Sequence, residues 1–243
     1  MERKMKILVL QHVREEHPGI FRKFLKEDGH EWTAFNLQEE TTLPNIQNFD
    51  ALWVMGGPMD VWEEELYPWL KQEKSFIQDA VVEKGVPYLG LCLGHQLLGE
   101  VLGGKVRKAK VPEIGVCRVN LTEDGLSGVF FDGISESIDC LQWHGAEVTD
   151  IPNDVKVLAT SRECEIQAIK WGNKAYSLQF HLEVEEDTVS SWGRIDAYAN
   201  ALKKALGPNG LSLLEKDCMA NMKAFEKNAE RVYINWLQTT ARA

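Results

Sequence analysis

The 243-residue sequence is short of positive charge: 27 Lys and Arg stand against 37 Asp and Glu, a formal net charge of −10. An acidic chain gains little from the counterion release that drives nucleic-acid binding, so no nucleic-acid partner is expected. Long apolar runs are missing too. The longest stretch free of Asp, Glu, Lys and Arg covers residues 85–99, shorter than the about 20 residues of a spanning helix. The apolar run at residues 7–10 is too short for a signal peptide. The expectation is a cytoplasmic protein with no membrane partner. Cysteine is sparse: Cys92, Cys117, Cys140, Cys164 and Cys218 are odd in number, widely spaced and never arranged Cys-x-x-Cys. That excludes a disulfide framework and a zinc knuckle and suits a reducing compartment. His12 and His17 have no metal spacing with Asp or Cys partners, and no Gly-x-x-x-x-Gly-Lys-Ser/Thr loop occurs. Neither a metal nor a cofactor is expected. Core-forming residues are not lacking: a hydrophobic share of 44% is enough for a sizeable buried core.

The first half alternates strand and helix signals. Residues 5–10 (MKILVL), 51–55 (ALWVM) and 86–91 are short apolar runs of the kind buried on both faces of a sheet, with a weaker strand at 30–35. Pro18 opens a helix that Gly29 stops, and Pro68 opens one that Gly85 ends. Apolar residues at helical spacing follow residue 94. Alternation of this kind predicts a parallel sheet with crossover helices. After about residue 105 the pattern becomes short strands with turns between them, at 115–120, 137–143, 155–160, 167–171 and 175–180. Two helices, about 185–206 and 211–237, finish the chain, split by Pro208-Asn209-Gly210. The expected fold is α/β: an open, mostly parallel central sheet flanked by helices, with added antiparallel strands and a C-terminal helical extension. It reads as one domain over 1–243, its core at about 5–206. The last helix carries Leu211, Leu214, Cys218, Met222, Phe225, Ala229, Val232 and Trp236 on one face. Packing inside the chain is the first reading. Docking to a second copy, as a homodimer, or to another enzyme is the alternative.

Two segments carry chemistry. Gly90-Leu91-Cys92-Leu93-Gly94 follows a buried strand and precedes a helix, the setting of a nucleophile elbow. There the helix N-terminus favours a thiolate and offers N–H groups to an oxyanion. The plain alternative is a buried cysteine in a glycine-rich turn. His181 and Glu183 lie two apart at the end of the last strand, so on extended backbone they share a side, and the carboxylate can fix the imidazole. The plain alternative is a surface histidine beside an acidic run. Both segments end strands, where open α/β sheets place their sites.

Gly56-Gly57-Pro58, Gly90-Leu91-Cys92-Leu93-Gly94-His95-Gln96 and Gln179-Phe180-His181-Leu182-Glu183-Val184 together resemble the class I, triad-type glutamine amidotransferases, in the family's order. Within that class the likeness is to stand-alone proteins related to the amidotransferase domain of GMP synthase. The resemblance implies a flavodoxin-like sheet and glutamine as substrate. It implies Cys92 as nucleophile, His181 as base and Glu183 as its orienter. It also implies Gly57 and Leu93 N–H groups as the oxyanion hole, and Gln96 with the backbone around Gln142, Trp143, His144 and Gly145 as the glutamine grip. Leu182 departs from the family's proline. Residues 184–243 are too few for an ammonia-accepting, ATP-binding domain, so a separate synthetase or ammonia-accepting partner is expected. A γ-glutamyl hydrolase using the same triad, and an idle binding protein on the same fold, are the competing readings. His95 is expected to pack beside the elbow, Trp53 to be core, and Trp62, Trp143 and Trp192 are candidate pocket walls.

Overall fold

The structure is a computed structural model that describes residues 4–241. Its strands are β1 (Lys6–Gln11), β2 (Glu31–Asn36), β3 (Ala51–Val54), β4 (Tyr88–Leu91), β5 (Lys105–Leu121), β6 (Ser137–Asp150), β7 (Val155–Thr160), β8 (Ala168–Trp171) and β9 (Ala175–Leu178). Its helices are α1 (Phe21–Glu27), α2 (Trp69–Ile77), α3 (Leu93–Val101), α4 (Glu123–Ser127), α5 (Thr188–Trp192), α6 (Asp196–Leu206) and α7 (Gly210–Ala241). Helix α2 runs on into a π-helical turn over Gln78–Glu83. Among the described residues the strands form one sheet in the order β2-β1-β3-β4-β9-β8-β7-β5-β6.

The sheet has two halves. From β2 to β9 every pairing is parallel, and from β9 to β6 every pairing is antiparallel. The expected α/β sheet with added antiparallel strands and a C-terminal helix is what the chain forms. In the parallel half the strands alternate between two cores. Ile7, Val9 and Trp53 pack on one face with α1 and α7, while Leu8, Leu10, Leu52 and Val54 pack on the other with α2 and α3. Fully burying each such side chain is worth roughly 1.5–3 kcal/mol, which explains why these strands read as unbroken apolar runs.

Several boundaries move. The expected strands at 115–120 and 137–143 are the paired ends, next to the connection, of one long hairpin, β5–β6, with a register irregularity between Lys108 and Glu113. The expected helix at 185–206 is two helices, α5 and α6, separated at Gly193–Ile195. The short helix α4, capped by Thr122 Oγ1 on the Gly125 N–H at 3.1 Å, carries no apolar period to announce it. The apolar face of α7 is used within the chain: Leu214, Cys218, Phe225, Ala229, Val232 and Trp236 are buried. Trp236 stacks edge-on against Trp53 at 5.2 Å, and its indole N–H donates to the Tyr88 carbonyl at 3.1 Å. No helix of the described residues is long and apolar enough to cross a membrane.

Candidate active site

Strand β4 ends in a strained residue. Cys92 has φ 51° and ψ −101°, the one positive φ outside glycine among the described residues. Such a conformation costs of order 1–3 kcal/mol and persists only when neighbours enforce it. Here they do. The Cys92 N–H donates to the Leu178 carbonyl at 2.8 Å, tying the turn to β9. The Tyr88 hydroxyl donates to the Gly94 carbonyl at 2.7 Å. The turn also packs directly on the end of β3: a Cβ at Gly94 would stand 2.1 Å from the Val54 carbonyl oxygen, so only glycine fits. Cys92 thus caps the N-terminal end of α3, where the first N–H groups have no intrahelical acceptor.

The next strand along, β9, delivers the histidine. Its extension places the His181 N–H on the Leu141 carbonyl of β6 at 2.9 Å. His181 Nδ1 lies 2.6 Å from Glu183 Oε1, and both side chains are buried. Trp192 sits edge-on to the His181 ring at 4.6 Å. The pair and the thiol are close enough to set each other's proton affinity. Burial disfavours a charged His181 ring, but Glu183 and the Cys92 sulfur outweigh it and hold its pKa well above the ordinary histidine value. Burial pushes the Cys92 thiol up, and His181 pulls it back in part. The other thiols have no histidine doing so: burial puts Cys117 at about 11 and Cys218 at about 12, and raises Cys140 and Cys164 as well.

A cavity of about 700 Å³ opens over Cys92. Its floor is Gly57, Cys92 and Gln96. The hairpin β5–β6 supplies Lys110, Val111, Ile114, Trp143, His144 and Gly145, and α6 adds Lys204 and Tyr198, whose ring packs on Trp143 at 5.6 Å. Gly57 and Leu93 are neighbours, since a Cβ on Gly57 would stand 3.0 Å from Leu93 Cδ2. The Leu93 side chain itself is core, so only its backbone is available to the site.

Of the residues expected to grip a substrate, Trp143, His144 and Gly145 do line the cavity, and Gln142 does not. Successive side chains on a strand point to opposite sides. With Trp143 facing the cavity, Gln142 turns into the protein and donates to Gln167 Oε1 at 2.9 Å. Gln96 lines the cavity, but its amide hydrogens go to the Ala146 carbonyl and Gln179 Oε1, both at 3.1 Å. That leaves its oxygen for an incoming donor. His144 Nε2 is 3.2 Å from Glu113 Oε2, and Glu113 also accepts from Ser161 and Gln167, a buried polar cluster bracing the wall. His95 is buried between Ser177 Oγ and the Ile166 carbonyl, with burial lowering its pKa to about 3, so it is a packed neutral histidine beside the elbow. Trp53 is core, and Trp62 is exposed and off the cavity wall.

Three further residues of the site escape sequence reasoning. Gln179 Nε2 donates to the Cys92 sulfur at 3.5 Å. Glu16 is buried, accepts from the Tyr198 hydroxyl, and has its other oxygen unpartnered among the described residues. Burial raises the Glu16 pKa, with His181 pulling it down. His12 is buried against Gly56 and Glu73. The available signals are thin: Gln179 adjoins the histidine motif, and Pro18-Gly19 lets the segment after Glu16 close on Glu183, whose carbonyl accepts from Ile20 at 3.0 Å. No group of His, Cys, Asp and Glu arranged to hold a metal ion occurs among the described residues.

The family described as glutamine amidotransferase class-I matches residues 21–190. One of the subunits of the glutamine-hydrolysing GMP synthase of Sulfolobus acidocaldarius is 33% identical over 182 residues, 74% of this chain and 90% of that protein. Gamma-glutamyl peptidase 5 of Arabidopsis thaliana is 26% identical over 234 residues, 92% of this chain and 86% of that protein. The crystal structure of a glutamine amidotransferase from Thermotoga maritima matches with a TM-score of 0.85 over 100% of both chains, at 29% identity.

Proposed function

The chain belongs to the class I glutamine amidotransferase family, and from that premise we propose that it hydrolyses the side-chain amide of glutamine through a γ-glutamyl thioester on Cys92. The observation that carries the reading is the strained Cys92 turn with the His181–Glu183 pair, 2.6 Å apart, beside it. Nucleophile, base and orienter are the three parts such chemistry requires.

With Nδ1 engaged by Glu183, His181 has Nε2 left for the thiol proton. The sulfur attacks the amide carbon, and the carbonyl oxygen becomes an oxyanion facing the N–H groups of Gly57 and Leu93. One such donor is worth roughly 3 kcal/mol of barrier. The C–N bond breaks as His181 returns its proton to nitrogen, and ammonia leaves. Water, giving a proton to His181, attacks the thioester and releases glutamate, and the proton goes back to the sulfur. The ammonia would pass to a separate synthetase, in keeping with the Sulfolobus relative being one component of a GMP synthase.

A second reading keeps the triad and changes the leaving group: a γ-glutamyl peptide would lose an amine in place of ammonia. The cavity favours it, because 700 Å³ is the size that takes a drug-sized ligand and far exceeds free glutamine. The Arabidopsis peptidase bears the corresponding name. Initial rates with glutamine, asparagine and γ-glutamyl dipeptides test both. Glutamine preferred over dipeptides supports the first, dipeptides preferred over glutamine the second. Equal rates for glutamine and asparagine contradict a site that places the amide by anchoring the α groups.

A further inference from the structure

His12, the residue after β1, is buried and stands outside the triad. Its Nδ1 is 2.7 Å from the Gly56 carbonyl oxygen. Its Nε2 is 3.0 and 3.1 Å from the two oxygens of Glu73, a fully buried residue of α2. Carbonyl and carboxylate oxygens only accept, so both ring nitrogens donate and the ring holds both protons. Burial opposes that charge, but Glu73 and the Gly56 carbonyl outweigh it and raise the ring's pKa. A buried charged pair is costly unless its geometry is good, and here the geometry reaches one peptide unit of the site.

The Gly56 carbonyl and the Gly57 N–H are the two ends of a single planar peptide, and no cis peptide occurs among the described residues. In a trans unit they point in opposite directions. Holding the oxygen on His12 therefore turns the Gly57 N–H away from His12, while Gly57 itself lines the cavity over Cys92. A hydrogen bond to the carbonyl also polarises the amide and strengthens its N–H as a donor. The contact is close: a Cβ on Gly57 would stand 2.7 Å from His12 Cβ and 3.0 Å from Cγ of its ring, so the His12 side chain backs the glycine directly.

We infer that His12, anchored by Glu73, is a positioning residue that aims the Gly57 N–H at the oxyanion. The inference rests on the proposed role of Cys92 and the Gly57 N–H. It makes the charged ring part of the acyl-transfer step, although it touches neither substrate nor sulfur.

Two substitutions separate the ring's two hydrogen bonds. In His12→Asn the amide nitrogen stands where Nδ1 stood and can still donate to Gly56. In His12→Gln it stands where Nε2 stood and can donate only to Glu73. The assay is hydrolysis of γ-glutamyl-p-nitroanilide and of glutamine, read as kcat and KM. Alongside it, the alkylation rate of Cys92 by iodoacetamide reports the nucleophile without forming an oxyanion. Loss of a whole oxyanion donor costs about 10²–10³ in kcat, so mis-aiming one in His12→Gln is expected to cost about 10–100-fold. KM and the alkylation rate are expected to stay near wild type. His12→Asn is expected to keep most of kcat. Glu73→Gln, which leaves an acceptor for Nε2 but removes the charge, is expected to lower kcat less than His12→Gln does. Wild-type kcat in His12→Gln, His12→Asn as impaired as His12→Gln, or alkylation falling in step with kcat would overturn the inference while leaving the triad in place. Wild-type protein that turns over neither compound would instead overturn the reading of the site, and this role for His12 with it.

Discussion

The two halves of the sheet contribute different parts of the candidate site. The parallel half brings the proposed nucleophile and base, with the groups that brace them, together at its carboxyl edge: His12 after β1, Gly56-Gly57 after β3, Cys92 after β4 and His181 after β9. The antiparallel half and α6 form the cavity wall, with Lys110, Ile114 and Trp143 on the hairpin and Lys204 on α6. The first set is buried and held by short contacts such as the 2.6 Å His181–Glu183 bond. The second rises from an irregular hairpin, and Val111 at its rim is 49% exposed. Under the proposed function, the division assigns bond-making to the parallel half and choice of substrate to the other. Substitutions in the first should therefore lower kcat, and those in the second should alter KM and substrate preference.

The largest effect tests the parallel half at its centre. Cys92→Ala and His181→Ala should each lower kcat by about four to six orders of magnitude, since triad members act as a unit. Cys117→Ala and Cys218→Ala, whose thiols burial holds at high pKa, should keep wild-type turnover in the same assay. Glu183→Gln comes next, with a loss of about 10²–10⁴. It also carries a pH signature. The carboxylate raises the pKa of His181, so removing its negative charge should move both limbs of the kcat/KM profile to lower pH. A profile that stays in place, or moves to higher pH, breaks the pairing.

A change in the other half should be mild and different in kind. Lys204 is exposed on α6 at the cavity mouth. Lys204→Ala should leave kcat and thermal stability unaltered while shifting KM by a few-fold, about 1 kcal/mol of binding, and shifting it differently for glutamine and a γ-glutamyl dipeptide. A kcat effect there would dissolve the division between the halves. The smallest effect concerns stability. His12 has a raised pKa in the folded chain, so its pairing with Glu73 stabilises fully below the ordinary histidine pKa of about 6.5 and is lost as pH climbs through the raised value. The Tm difference between wild type and His12→Gln should thus be largest in mild acid and shrink on the alkaline side. A difference that grows with pH contradicts a doubly protonated ring.

The same contrast explains what could be read in advance. Strands β1, β3 and β4 of the parallel half are buried on both faces, so they appear in the sequence as short apolar runs, with Gly56 closing the run of β3 and Pro87 opening β4. The elbow at Cys92 and the two-residue spacing of His181 and Glu183 are local patterns and survive into the fold. The hairpin β5–β6 does not announce its length. Much of β5 between Arg107 and Arg118 is half-buried or exposed, with Pro112 and Gly115 inside it, so no clean alternation marks the strand. Gln142 falls within the expected grip because its segment can be located from the sequence while its side of the strand cannot. The buried polar contacts around the triad are invisible for another reason: their partners are remote in the chain, 61 residues apart for His12 and Glu73 and 182 for Glu16 and Tyr198. Only the folded backbone brings such pairs together.

The central claim is that Cys92 carries the γ-glutamyl group. The direct measurement is acid quenching of the chain during turnover of glutamine or γ-glutamyl-p-nitroanilide, followed by peptide mass spectrometry. The account predicts a mass gain of one γ-glutamyl group on the peptide holding Cys92, lost in Cys92→Ala and accumulating further in any variant that slows attack by water. A γ-glutamyl group on another cysteine, or Cys92→Ala turning over at the wild-type rate, would contradict it.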